Sequence, residues 1–303
     1  MNNKTTCLVT GGAGFIGSHL VDALIEKGDL VLVIDNLSTG KKEYINPKAK
    51  FFEVDLGDFK KIRPVFEGVD FVFHLAAVPR LVPSIQDPIS AHQNNLTSTL
   101  NVLVASKEAK VKKLIYASST SVYGNQKNLP LREETRPNPL NPYALQKYAG
   151  ELYCKIFAEL YGFSTVSLRY FNVFGPRQSS EGDYACVIGI FLRQKKEGKP
   201  LTIVGDGNQR RDFSYVKDVV RATILAAEKN VGGGEVINVA AGNNYSVNEL
   251  AEIIGGPKIN IPLRPGEIRE SLADISKAKK LLGWEPKYNL ETGLKEIMKD
   301  NTN

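Results

Sequence analysis

The chain has 303 residues and only three cysteines, at positions 7, 154 and 186, with no Cys-x-x-Cys pair among them. So few and so scattered, they exclude a disulfide-stapled scaffold, and buried or half-buried free thiols are expected. Histidine is equally scarce: His19, His74 and His92 share no ligand spacing, so no structural metal is expected. No stretch approaches the ~18 uninterrupted apolar residues that a membrane helix needs. The opening Met1-Asn2-Asn3-Lys4-Thr5-Thr6 lacks the basic leader and apolar run of a secretory signal, which makes the cytoplasm the expected compartment. Repeats and low-complexity tracts are missing too. Lys and Arg number 39 against 33 Asp and Glu, a net charge of +6. That excess is spread along the chain, with Arg210-Arg211 and Lys279-Lys280 as short doublets. It suits a small anionic ligand, and no nucleic-acid or membrane-binding motif stands beside it.

What is present is a rhythm. Short β-rich runs at 7–10, 30–35, 51–54, 71–74, 114–117 and 165–170 alternate with helical stretches at 16–27, 59–66, 94–109 and 143–161. Apolar strands separated by helices predict an α/β fold, a doubly wound parallel sheet of Rossmann type. After about residue 169 the rhythm breaks. Residues 175–210 are rich in Gly, Pro and polar side chains, 219–227 is helical in pattern, and 235–239 is strand-like. Ser246-Val247-Asn248-Glu249 has capping-box form, and a helix over 276–282 should stop at Gly283. The expected organisation is a cofactor-binding domain over 1–172, rejoined by the strand at 235–239, and a smaller mixed α/β substrate lobe over 173–303.

Between the first strand and the first helix lies Gly12-Ala13-Gly14-Phe15-Ile16-Gly17, with Gly11 adding the spacing G-x-x-G-x-x-G. Small residues are needed there for a tight turn, for backbone approach to a pyrophosphate, and for helix–strand packing at Gly17. The helix N-terminus then offers free N–H groups to phosphate. Glycine turns also occur for turning alone, but here Asp35 ends the second strand about 20 residues on, where a dinucleotide site places an acid for the ribose. That acid favours NAD over NADP, since its charge opposes a 2′-phosphate. Lys41-Lys42 is the one feature pulling the other way.

Asn141-Pro142-Tyr143 reads as an N-cap, a proline in the first turn and a helix start. Tyr143 and Lys147, four apart, share one helix face. A free tyrosine has a pKa of about 10. A neighbouring ammonium and the helix N-terminus both lower it, which makes Tyr143 a candidate base for a hydroxyl undergoing oxidation. Tyr-x-x-x-Lys is common by chance, and an amphipathic helix face would explain it alone. The hydroxyl cluster Ser118-Ser119-Thr120-Ser121 at the carboxyl end of a buried strand favours a site instead.

Gly11–Gly17, Leu75-Ala76-Ala77, residues 117–124 and Tyr143–Lys147 together resemble the extended short-chain dehydrogenase/reductase family over nearly the whole chain. Within it, Arg169-Tyr170-Phe171-Asn172-Val173-Phe174-Gly175-Pro176, Gly205-Asp206-Gly207 and Arg211-Asp212-Phe213 resemble the UDP-hexose 4-epimerases, in particular those acting on UDP-N-acetylglucosamine. The resemblance implies Tyr143 as base, Lys147 as its electrostatic partner and ribose ligand, and Ser119 as hydroxyl donor to the sugar, with Thr120 as second candidate. It implies further NAD contacts from Phe15, Ile16, Asp35, Asn36, Ser38, Gly40, Asp55, Leu56, Leu75, Ala76, Ala77, Asn94 and Phe171. For the UDP-sugar it implies Asn172 as a substrate contact, Arg211 and Arg264 on the diphosphate, and Glu267 on the uridine ribose. A homodimer formed through the helices near 94–109 and 143–161 is also implied.

Related enzymes share the first oxidation. The resembling 4,6-dehydratases carry Asp-Glu where this chain has Thr120-Ser121, and the UDP-glucuronate decarboxylases carry a glutamate at the position of Ser121; both are disfavoured. UDP-glucuronate 4-epimerases share the Ser-Val-Tyr-Gly wording and are the alternative enzyme. A non-catalytic NAD-binding regulator is the alternative of another class, and the Tyr143, Lys147 and Ser119 set argues against it. Ser271 aligns with a wall position that is a tyrosine in epimerases restricted to UDP-glucose and UDP-galactose. A serine there implies room for an N-acetyl group, hence UDP-GlcNAc and UDP-GalNAc with UDP-Glc and UDP-Gal also accepted.

Overall fold

In the computed structural model, which describes residues 4–79, 81–182, 185–262 and 268–300, six strands stand where the pattern puts them. They are β1 (Thr6–Thr10), β2 (Leu30–Asp35), β3 (Lys50–Glu53), β4 (Phe71–His74), β5 (Lys113–Ser119) and β6 (Thr165–Tyr170). With strand Gly233–Val239 they form one parallel sheet in the order 233–239, β6, β5, β4, β1, β2, β3. The chain thus returns to this sheet after leaving it at Tyr170. Every residue of β6 is buried, which is why it reads as a continuous run and not as an alternation.

Each face of the sheet has its own apolar layer. One is formed by α1 (Phe15–Lys27), helix Val216–Glu228 and Trp284; the other by helices Ser98–Glu108 and Pro142–Tyr161 with Ile62 and Phe66. A third cluster, around Phe174, Phe191, Phe213, Tyr215 and Leu294, lies under the lobe built from the later chain. α1 ends because Gly28 takes a left-handed φ of 96°, and the Pro142 helix ends the same way at Gly162 with φ 62°.

Several elements depart from the sequence reading. The expected helix over 59–66 is α-helical only at Phe59–Ile62 and tightens to a 3₁₀ turn at Arg63–Phe66, where Pro64 cannot donate. The helix expected from 94 starts as a π-turn at Gln93–Thr97. Residues 175–210, expected to be irregular, contain helix Val187–Lys196 and strand Leu201–Val204. Helices Leu81–Gln86, Pro88–His92 and Leu290–Asp300 went unread. No helix among the described residues is long and apolar enough to cross a membrane. Cys7 and Cys154 are buried, Cys186 is half-buried, and all three are free thiols.

His74 joins the sheet to the helical layer. Ala76 N–H donates to Thr10 Oγ1 at 3.3 Å, and Thr10 Oγ1 meets His74 Nδ1 at 2.7 Å. On the other side His74 Nε2 meets Thr99 Oγ1 at 3.0 Å, while Thr99 donates its only hydroxyl hydrogen to Asn95 O at 2.5 Å. Thr99 must therefore accept, so His74 donates from Nε2 and its neutral form accepts at Nδ1. Burial, with the Lys147 charge adding to it, pushes His74 down to about 3 from 6.5. A depressed folded value means that the stability contributed by neutral His74 is present above about pH 6.5 and is lost as pH falls toward about 3. Urea midpoints should fall between about pH 7 and about pH 5 more steeply in the wild type than in His74→Gln. Equal slopes would show that His74 does not carry the effect.

Candidate active site

The strand order reverses between β1 and β4, where a doubly wound sheet opens a crevice beyond its carboxyl ends. A cavity of about 950 Å³ occupies that place, near the upper end of the usual range for small-molecule sites. Gly11, Gly14, Phe15, Ile16 and Gly17 form part of its wall. Gly11 has φ 73°, and a Cβ there would meet the Ala76 backbone nitrogen at 2.7 Å. On Gly17 a Cβ would drive into the Gly11 carbonyl oxygen. Gly14 caps α1 without a side chain, and the first turn of α1 carries no acid. The free N–H groups of α1 are therefore left for an anion.

Asp35 closes this end. It is 8 % exposed; Oδ2 accepts from Ala13 N–H at 3.0 Å and Oδ1 from Leu37 N–H at 2.8 Å. Burial raises its pKa and the two amide bonds pull it back. Asn36, Ser38, Asp55 and Leu56 stand beside it on the wall, with Asn36 Nδ2 donating to Asp55 Oδ2 at 2.8 Å. Gly40 is placed differently from the expectation. It lies off the wall, packed so closely on Ala13 that a Cβ would meet the Ala13 Cβ at 2.9 Å. Its part is to seat the loop behind the glycine turn.

Leu75, Ala76, Ala77 and Asn94 line the facing wall. The π-turn lets the neighbouring Asn95 reach two elements at once. Its Oδ1 accepts from Val78 N–H at 2.7 Å, and its Nδ2 donates to Gln146 Oε1 at 2.7 Å, one residue before Lys147.

Ser119, Thr120, Tyr143 and Lys147 line the same cavity. Ser119 Oγ accepts from Ser121 N–H at 3.1 Å, capping the 3₁₀ turn Thr120–Tyr123 and leaving the Ser119 hydroxyl hydrogen to be donated elsewhere. Asn141 caps the next helix, with Oδ1 accepting from Ala144 N–H at 2.9 Å, and this puts Tyr143 in the first turn. Lys147 is 3 % exposed. Its Nζ donates to Ala117 O at 2.7 Å and lies 5.9 Å from the Tyr143 ring centre. Burial brings its pKa down to about 8, with the Glu151 carboxylate pulling the other way. It is a cation at neutral pH, one turn from the phenol.

On the lobe side Asn172 reaches the wall with φ 30°, an uncommon backbone for an asparagine, and its Nδ2 donates to Asp212 O at 3.0 Å. Phe171, expected at the cofactor, is wholly buried beside Tyr123 and off the cavity wall, because just past the end of β6 its ring packs into the cluster of Val122, Tyr123, Leu131 and Ala240. Arg211 also stands off the wall. It lies on strand Arg210–Asp212 paired with Asn244–Ser246, and its Nη1 donates to Arg210 O at 2.9 Å. Ser271 is buried and likewise not on the wall; its N–H donates to Arg210 O at 3.1 Å and its carbonyl accepts from Asn244 Nδ2. Arg264 and Glu267 lie outside the described residues. Ser121, from the hydroxyl cluster, also lines the cavity, and its buried Oγ has no partner among the described residues; Arg177, Gln178 and Cys186 line it without having been marked as site residues in the sequence. Arg177 has φ 63° and pairs with Asp22 at 2.8 Å. Only the Gly175-Pro176 step hinted at a turn there.

Comparison with known proteins matches residues 7–240 to the NAD dependent epimerase/dehydratase family. A putative UDP-glucose 4-epimerase of Methanocaldococcus jannaschii is 42% identical, over 97% of this chain and 98% of its own. A UDP-glucuronate 4-epimerase of Thermodesulfobacterium geofontis is 37% identical, over 96% and 94%. The solved UDP-N-acetylglucosamine 4-epimerase of Methanobrevibacter ruminantium M1, in complex with UDP-N-acetylmuramic acid, superposes with a TM-score of 0.93 at 42% identity, over 98% of this chain and 97% of that one. A glycine turn, an acid at the end of the second strand and a Tyr–Lys pair lining one cavity, its lysine buried, agree with these likenesses. The chain belongs to the NAD-dependent epimerase/dehydratase family, among its nucleotide-sugar 4-epimerases.

Proposed function

We propose that the protein interconverts UDP-GlcNAc and UDP-GalNAc, accepts UDP-Glc and UDP-Gal as well, and uses Tyr143 as its base. The observation that carries the chemistry is Ser119, Tyr143 and Lys147 facing one cavity, with the ammonium buried next to the phenol. NAD, held along the glycine turn and Asp35, would supply the hydride acceptor and donor for C4 of the sugar without net consumption. Tyr143 removes the C4 hydroxyl proton, helped by the Lys147 charge and the helix N-terminus. Ser119 donates a hydrogen bond to the same oxygen, and Asn172 borders the sugar. Asp35 would accept from the adenosine ribose, and the glycine turn would cradle the pyrophosphate. The first 172 residues with strand Gly233–Val239 are read as the NAD-binding unit, and the later chain as the sugar lobe.

The N-acetylated substrate is supported by the serine at 271 and by the 42% identity to the Methanobrevibacter enzyme. Because Ser271 is off the cavity wall, the identity carries more of this reading. Arg211, Arg264 and Glu267 are read as the nucleotide diphosphate and uridine contacts, which requires the lobe to bring Arg211 inward when the sugar nucleotide binds.

We also infer a homodimer formed through helices Ser98–Glu108 and Pro142–Tyr161. Leu145, Leu152, Ile156 and Leu160 are exposed on the second of these at spacings of seven, four and four, a single apolar face. Sedimentation should give a two-chain particle, and Leu152→Glu/Ile156→Glu should shift it to one chain. An unshifted wild-type monomer would reject the dimer.

Purified protein incubated separately with UDP-GlcNAc, UDP-Glc and UDP-GlcA, with products resolved by NMR, tests the substrate. Conversion of UDP-GlcNAc and UDP-Glc is expected. Turnover of UDP-GlcA alone would replace the proposal with the glucuronate reading, and turnover of UDP-Glc alone would remove the N-acetyl part. Tyr143→Phe should lower kcat by about 100-fold or more. Undiminished turnover would reject Tyr143 as the base.

A further inference from the structure

One turn beyond Lys147 on the same helix face stands Glu151, 2 % exposed. Two neighbouring strands deliver its partners, because Ser118 of β5 and Arg169 of β6 are register neighbours. Arg169 Nε donates to Glu151 Oε1 at 2.9 Å and Nη2 to Oε2 at 2.7 Å, a bidentate fork. Ser118 Oγ donates to Oε1 at 2.5 Å. The guanidinium is held in turn by Glu133 O at 3.3 Å and lies 4.5 Å from the centre of the Tyr123 ring. This cluster is buried and forms no part of the cavity wall except through Ser118.

The charges near Lys147 can be counted. From β4 comes His74, neutral because it is pushed down to about 3; on the helix itself is Cys154, a thiol pushed up to about 12 by burial. Tyr116 of β5, its ring centre 4.9 Å from Lys147 Nζ, is held neutral by burial. Ser84 and Asn95 add neutral groups from the helices facing this one, and Gln146 adds another from the helix itself. Among the described residues around it three charges remain: Lys147, Glu151 and Arg169. Glu151 is held to Arg169 by both oxygens and only partly offsets Lys147, which carries the net positive charge of the group until Tyr143 ionises.

We propose that Arg169 is a positioning residue for the proton-abstracting pair: by gripping both oxygens of Glu151 it keeps that carboxylate from neutralising Lys147. The ammonium's field is then available to the Tyr143 phenolate one turn away. The inference rests on Tyr143 being the base. It assigns Glu151 and Arg169 a function beyond packing, since a buried ion pair by itself contributes little to stability.

The signs follow from the charges. In Arg169→Gln the released carboxylate neutralises Lys147, the phenolate loses its support, and the acid limb of kcat against pH moves up, by about one pH unit or more. In Glu151→Gln the freed guanidinium adds positive charge, and the limb moves down. Arg169→Gln/Glu151→Gln removes both charges and returns the limb to near its wild-type position. The measurements are kcat–pH profiles of the NAD-loaded protein and the ultraviolet phenolate titration read as a difference against Tyr143→Phe. Limbs that stay in place, or that move in the same direction in both single variants, overturn the inference. If Arg169→Gln does not fold, Arg169→Lys takes its place; it keeps the charge but loses the fork, and a smaller upward shift is expected where an unmoved limb overturns. Full activity in Tyr143→Phe would instead remove the base assignment itself, so the two failures are distinguishable.

Discussion

Burying an ammonium costs several kcal/mol unless its surroundings compensate, and the Lys147 site is arranged around that cost. One hydrogen bond to the Ala117 carbonyl, at the end of β5, holds the charge in place. The rings of Tyr116 and Tyr143 lie on its flanks. The helix that carries Lys147 must therefore dock on β5 in one register. Gly150 makes that docking possible, since a Cβ there would collide with the Tyr116 side chain. Chemistry and packing share a single constraint: the cation must be dry enough to act on a neighbouring phenol and supported enough to remain charged.

The cofactor side is tied to the same helix by neutral groups. From Ala76 the hydrogen bonds run through Thr10, His74 and Thr99 to Asn95, and from Asn95 to Gln146 beside Lys147. The loop that flanks the glycine turn and the helix that carries the base are thus held in one relation. A neutral chain does this without adding charge near Lys147. Where charge does appear, in Glu151 and Arg169, it is paired within itself. The low dielectric makes each of these choices matter more than it would at the surface.

Much of this was legible because local chemistry forces it. Gly17 must be glycine where a helix crosses the Gly11 carbonyl, Asn141-Pro142 must start a helix, and unbroken apolar runs must be strands buried on both faces. Other parts were not legible. Helix Val187–Lys196 hid in a segment whose Gly, Pro and polar content resembles a loop, and its stability comes from Phe191 and Ile188 packing into the lobe core. Phe171 and Asn172 are adjacent in sequence, yet one turns into the core and the other to the cavity, where the chain leaves β6 and Asn172 takes a φ of 30°. Motif wording cannot distinguish the two.

By itself the sequence determined the sheet, its cofactor crevice, the acid at the ribose end and the Tyr143–Lys147 spacing, because each depends on steric rules acting within a few residues. Only the tertiary structure decided which groups share a wall and which charges meet. Glu151 and Arg169 are 18 residues apart in the chain and on different elements, and no periodicity links them. Arg211, Ser271 and Gly40 carry suggestive motifs but sit behind the wall, since strand pairing and close backbone packing claim them. The depth at which Lys147 is buried is likewise a property of the whole packed layer, as desolvation is set by every atom that excludes water and not by neighbours along the chain.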